Sequence, residues 1–147
     1  MGDPIKVAIV DSDEGFCRMV REWLDETDNI LLMEDVQRGR EMLHRLHEMR
    51  PDVVLIDVAA ASTAQVREVA AYAGVIVLHG AGQEPLVLEA LRAGALGHLE
   101  KPELRPAQAI AAIRAVSRGQ AVLSPGLAGR ILDEIAESYH RKSESEG

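Results

Sequence analysis

Five short, continuous apolar runs, each followed by a stretch with helical spacing, constrain this chain more than any other feature. The runs are Ile5 to Val10, Ile30 to Met33, Val53 to Ile56, Val75 to Leu78 and Leu96 to Leu99. They lack polar alternation, and Val53 to Ile56 and Val75 to Leu78 are rich in β-branched residues. Such runs suit parallel strands covered on both faces. Residues 14–27 place Phe16, Val20, Trp23 and Leu24 three to four apart, and residues 38–49 do the same with Met42, Leu43 and Leu46. Residues 62–72 open with Ser62-Thr63-Ala64-Gln65, in which Ser62 and Gln65 can satisfy orphan N–H groups. Pro85 opens a helix over 84–93. Pro106 opens another over 106–118, with Ile110, Ile113 and Val116 on one stripe. Strand and helix alternate five times, which is the signature of a doubly wound α/β sheet. Right-handed crossovers then leave few topologies.

The chain continues past this pattern. Gly119 ends the fifth helix and Ser124-Pro125 starts a sixth, with Leu127, Ile131 and Ile135 recurring every four residues. That stripe either packs back on the domain or pairs with another subunit. The reading divides the chain into a main domain over 1–120, a C-terminal helix over 121–142 and a disordered polar tail over 143–147.

Composition removes several classes of function. The chain has 147 residues, one domain's worth, and is 47% apolar, enough for a real core. Sixteen basic against 24 acidic residues give a net charge of −8, a poor match for a phosphate backbone, so direct binding of nucleic acid is not expected. The lone Cys17 cannot form an internal disulfide. No apolar run approaches the roughly 20 residues that span a bilayer. The first residues lack the pattern of a signal peptide. A cytoplasmic protein without membrane contact is the expectation.

In open α/β sheets, ligands sit beyond the carboxyl ends of the strands. The first run leads into Asp11-Ser12-Asp13-Glu14, the third ends on Asp57, the fourth on His79-Gly80, and the fifth leads to Lys101-Pro102. The fold therefore gathers carboxylates, an imidazole and an ammonium along one rim. Clustered carboxylates repel and call for a cation. Hard oxygen donors without cysteine favour Mg²⁺, held by one or two carboxylates plus waters. Lys101 supplies a point charge suited to a phosphoryl oxygen. Metal, lysine and a carboxylate nucleophile are what phosphoryl transfer to an aspartate requires.

At this point the chain resembles a known family, the receiver domain of two-component response regulators, over residues 5–118. The segments that carry the resemblance are Ile-Val-Asp-Ser-Asp (9–13), Pro-Asp-Val-Val-Leu-Ile-Asp-Val (51–58), Val-Ile-Val-Leu (75–78) and Ala-Gly-Ala-Leu-Gly-His-Leu-Glu-Lys-Pro (93–102). The stretch 113–125 further resembles the subfamily that continues into a LuxR-type helix-turn-helix. The resemblance implies a flavodoxin-like strand order 2-1-3-4-5 with an extra C-terminal linker helix, and a signalling role rather than an enzymatic one. It implies Asp57 as phosphoacceptor, and Mg²⁺ held by Asp11, Asp57 and the backbone carbonyl of Ala59. Lys101 would contact the acyl phosphate. A histidine kinase is the implied partner. A homodimer would form through the face of fourth helix, fifth strand and fifth helix, or through the C-terminal helix. The Lys101–Pro102 bond is often cis in such proteins.

The sequence also departs from the family pattern. Ser12 stands where a second acid is usual, with Asp13 one residue on as a possible auxiliary acid. The segment after Asp57 reads Val-Ala-Ala-Ala-Ser-Thr and is short. The two switch positions are His79, where a hydroxyl is usual, and His98, where an aromatic is usual. Losing the hydroxyl removes a hydrogen bond to a charged group, about 1.5–3 kcal/mol, which a histidine N–H can replace. Of the two, His79 reads as a buried, satisfied histidine and His98 as a solvent-facing residue of the signalling surface. A degenerate receiver that binds partners without phosphate, its switch reading pH or a ligand, is the alternative function. His44 and His47, one turn apart, read as a solvated helical face, and Cys17 as a small core residue.

Overall fold

The computed structural model describes residues 2–146. In chain order the elements are β1 (Ile5–Val10), α1 (Glu14–Asp25), β2 (Ile30–Leu32), α2 (Met42–Met49), β3 (Val53–Asp57) and α3 (Thr63–Ala70). They continue with β4 (Gly74–His79), α4 (Glu84–Arg92), β5 (Gly97–Glu100), α5 (Pro106–Ser117) and α6 (Pro125–Glu146). The five strands are all parallel and lie in the order β2-β1-β3-β4-β5. This is the flavodoxin-like order that the resemblance implies.

The twofold period of the strands sorts the core into two layers. Val7, Ile9, Val53, Leu55, Ile76 and Leu78 pack under α1 and α5 against Phe16, Val20, Leu24, Ile113 and Val116. The alternate residues Ala8, Val10, Val54, Ile56, Val75 and Val77 pack on the other face against Met42 and Leu46 of α2, Val66 and Val69 of α3, and Val87 and Leu88 of α4. Because both faces are covered, the strands carry unbroken apolar runs.

Local chemistry sets the helix starts. Asp13 caps α1 by accepting the Phe16 N–H at 3.0 Å. Ser62 and Gln65 complete the expected capping box at α3, with bonds of 3.2 and 2.9 Å. The second helix starts at Met42 rather than at residue 38, because residues 39–42 form a turn in which the Met42 N–H bonds the Gly39 carbonyl.

The C-terminal helix extends further than the sequence reading placed it. Residues 143–146, expected as a disordered tail, continue α6 through Glu146, and Gly147 lies outside the described residues. Residues 140–146 contain no proline or glycine to end a helix. The apolar stripe divides: Leu127 is buried in the α4-side core, Ile131 packs against it half-buried, and Ile135 is exposed. Two ion pairs, Arg130–Glu84 and Arg92–Glu134, line α6 along α4.

Before α6, the chain touches the sheet once more. Val122 forms a parallel bridge with Gly97 at the β5 edge. Its N–H bonds the Leu96 carbonyl at 2.8 Å, and its own carbonyl accepts from the His98 N–H at 3.4 Å. Glycine suits this close approach: a Cβ at residue 97 would sit 3.1 Å from the Val122 oxygen, so the 122 segment would have to give by a few tenths of an ångström. Among the described residues no helix is long and apolar enough to cross a membrane.

Candidate functional site: a carboxylate–lysine rim

The carboxyl ends of β1, β3 and β5 place Asp11, Asp57 and Lys101 together, as the sequence reading expected. Lys101 Nζ donates to Asp11 Oδ2 at 2.7 Å and to Asp57 Oδ2 at 3.3 Å. The Asp11 side chain is 2% exposed, that of Lys101 19% and that of Asp57 20%. Asp57 is thus the more accessible of the two carboxylates. Each carboxylate is fixed by its own backbone: Asp11 Oδ1 accepts from the Asp13 N–H at 2.9 Å, and Asp57 Oδ1 from the Ala59 N–H at 2.8 Å. Aspartate at a strand end readily forms this local turn.

Lys101 is seated over the Phe16 ring, its Nζ 4.8 Å from the centroid. Burial weakens its charge, but hydrogen bonds to Asp11 and Asp57 and the attraction of both outweigh that, holding its pKa above the ordinary lysine value. The Lys101–Pro102 peptide is trans, since no cis bond occurs among the described residues. A shallow depression lined by Asp13, Phe16, Asp57, Gly80, Gln83 and Lys101 opens over the group. Asp13 stands at its lip, while Ser12 is exposed.

Two carboxylates and one ammonium carry a net charge of −1, with the Asp13 carboxylate close by. Among the described residues no three His, Cys, Asp or Glu side chains form a metal cluster. The donor set fits a water-rich Mg²⁺ site and does not provide an all-protein cage.

Next to this rim, the two histidines meet. His79, on β4, is 5% exposed. Its Nδ1 lies 3.2 Å from the Gly80 carbonyl and its Nε2 lies 3.0 Å from Nδ1 of His98 on β5. His79 is the buried, satisfied histidine expected of it. The expectation for His98 is corrected: it does not face solvent but is half-buried, with Nε2 accepting the Ser124 N–H at 3.0 Å. The segment 122–124 crossing the β5 edge covers it. Burial, and then the neighbouring His79, push its pKa below 6.5.

Phe16, Gln83 and Ser124 were not singled out from sequence for this region. Phe16 reads as one more residue of a helical core stripe. Gln83, whose Oε1 accepts the Gly80 N–H at 2.7 Å, carries no motif. Cys17 is a core residue as read; its thiol bonds the Asp11 carbonyl at 3.5 Å, and burial together with Asp35, Asp11 and Asp13 pushes its pKa up to about 11.

The parallel order β2-β1-β3-β4-β5, with two aspartates and a lysine at its carboxyl rim, places the chain among flavodoxin-like α/β domains. The response regulator receiver domain family matches residues 7–114, and the chain belongs to that family. Receiver domains are signalling domains and not enzymes in their own right. Among its relatives, the chemotaxis protein CheY of Halobacterium salinarum is 30% identical over 69% of this chain and 88% of that protein. The uncharacterized transcriptional regulatory protein YxjL of Bacillus subtilis is 29% identical over 97% of this chain. The chain spans 66% of the length of YxjL. Among solved structures, a LuxR-family response regulator from Aurantimonas superposes with a TM-score of 0.75 at 21% identity, covering 91% of this chain and 99% of that one. The receiver domain of NarL from Mycobacterium tuberculosis gives a TM-score of 0.72 at 20% identity, over 81% of this chain and 100% of that one.

Proposed function

We propose that this receiver domain accepts a phosphoryl group on Asp57 from a histidine kinase, with Mg²⁺ held by Asp11, Asp57 and the Ala59 carbonyl. The observation that carries the reading is Lys101, whose ammonium spans both carboxylates at 2.7 and 3.3 Å while Asp57 keeps an accessible edge. In the transfer, a carboxylate oxygen of Asp57 bonds to phosphorus. The phosphorus–nitrogen bond of the donor phosphohistidine breaks, and the imidazole leaves with its electron pair. A divalent cation in this site would neutralise charge on the phosphoryl oxygens. Lys101 already stands 3.3 Å from Asp57 and is placed to pair with one of those oxygens. The Ala59 N–H, bonded to Asp57 Oδ1, fixes the carboxylate for the approach.

The likeness to LuxR-type regulators supports transcriptional control in the cytoplasm as the output, exerted through a DNA-binding partner domain. The face of α4, β5 and α5, or α6 itself, would then form a homodimer. This domain itself is not the part that touches DNA, given its charge of −8.

The test is incubation with acetyl phosphate and Mg²⁺, followed by intact-mass measurement. A species heavier by about 80 Da, one phosphoryl group, absent in Asp57→Asn, is the expected result. Ser12 at the second acidic position and His79 in place of a hydroxyl favour a second reading, a phosphate-independent interaction module. No mass shift in the wild-type chain would select it.

A further inference from the structure

We propose that the His79–His98 pair is a proton-operated latch on α6: the neutral pair holds the Ser124 amide at the start of the helix, and one added proton releases it. The proposal goes beyond phosphoryl transfer and stands whether or not Asp57 is modified.

The argument is a count of lone pairs. The Ser124 N–H donates to His98 Nε2, so that nitrogen must be bare. A neutral His98 then carries its proton on Nδ1 and donates it to His79 Nε2, which must also be bare. His79 in turn carries its proton on Nδ1 and donates to the Gly80 carbonyl. The contacts require two bare nitrogens, and a neutral pair of imidazoles has two. A singly protonated pair has one, so one contact must break.

The location of the charge decides which. His98 is half-buried whereas His79 is 5% exposed. On His98, burial and then His79 oppose the charged form and outweigh Glu100 of its own strand and Glu84 of α4, which favour it. Glu84 is itself paired with Arg130 of α6 at 2.8 Å. Of the two rings His98 is the more accessible to solvent, so the added proton goes to its Nε2. The charged ring still donates to His79, but it now presents an N–H to the Ser124 N–H, and that contact is lost. Ser124 is also the residue whose Oγ accepts from the Leu127 N–H at 3.4 Å, so the first turn of α6 is tied to the same point.

The test uses the unmodified wild-type chain and NMR. At pH 7.5 both imidazoles are expected in the Nδ1–H form. As pH falls below about 6.5 the protection factor of the Ser124 amide should drop roughly two- to tenfold, the worth of one hydrogen bond, in step with the titration of His98. In His79→Ala, which leaves the Ser124 contact possible, the midpoint should move up, because the neighbour that opposes the charge is gone. An Nε2–H tautomer on His98 at pH 7.5, or a protection factor equal at pH 5.5 and 7.5, would overturn the latch. Neither readout involves acetyl phosphate, so its failure is separable from that of phosphorylation.

Discussion

Asp11 and Asp57 present their carboxylates by the same local device. Each accepts the N–H two residues ahead of it with Oδ1, at 2.9 and 2.8 Å, and turns Oδ2 toward a shared lysine. The site is therefore set by backbone turns at two strand ends and completed by two long-range contacts from one lysine. None of these bonds uses the Ser12 side chain.

Removing the lysine should expose how much the pair depends on it. In Lys101→Met two carboxylates remain face to face, one of them 2% exposed, without a counter-ion. We expect a loss of about 1–3 kcal/mol, the cost of leaving a buried polar group unpaired. Urea denaturation at pH 7.5 measures it, and an unchanged midpoint would contradict the contact.

Magnesium should stabilise the folded chain by linkage, since the paired carboxylates exist only in the native state. At a free concentration a hundredfold above Kd the gain is about 2.7 kcal/mol. Asp11→Asn and Asp57→Asn should each lose most of it, while Ser12→Ala should keep it. Thermal unfolding with and without Mg²⁺ reads the difference; equal responses in all four proteins would remove the proposed ligands.

The pH dependence of stability has a definite sign at His98. Its folded pKa lies below its ordinary value of 6.5, because of burial and then His79. The unfolded chain therefore binds more protons in that range. The stability His98 contributes is present above about pH 6.5 and is lost as pH falls through the interval down to the folded pKa. Urea midpoints should fall between pH 7.5 and 5.5 in the wild type and fall less in His98→Phe.

Gly74 opens β4 directly beneath α5. A Cβ there would lie 2.4 Å from Val116 Cγ1 and 3.2 Å from the Val116 carbonyl. Gly74→Ala should destabilise the fold by roughly 1–3 kcal/mol, the usual cost of overpacking. The double variant with Val116→Ala should recover only part, because the carbonyl stays. A single variant as stable as the wild type would show that α5 can shift away.

The strands could be read from the sequence because burial on both faces leaves unbroken apolar runs; right-handed crossovers narrowed their order to a few choices, and the family resemblance supplied the one observed. Asp11, Asp57 and Lys101 were legible for the same reason: each sits at the end of a run, where the topology must bring them to one rim. The environment of His98 was not. Its ring faces the same side as His79 only once β4 and β5 are registered, Val77 against His98 and His79 against Glu100. Strands buried on both faces lack the polar alternation that would fix register in the sequence. The cover over His98 comes from residues 122–124, which no local pattern assigns to the sheet. Gly97 was the available signal: a glycine inside a short strand marks close approach of another backbone.

The bridge from Val122 to Gly97 has one more consequence. β5 is the last strand on its side, and an edge strand offers unpaired peptide groups to any extended chain. Two hydrogen bonds from residue 122 occupy that edge along Leu96 and His98. The segment that seats α6 thus also closes the sheet, and peeling it away would uncover a docking line for a sixth strand from another molecule.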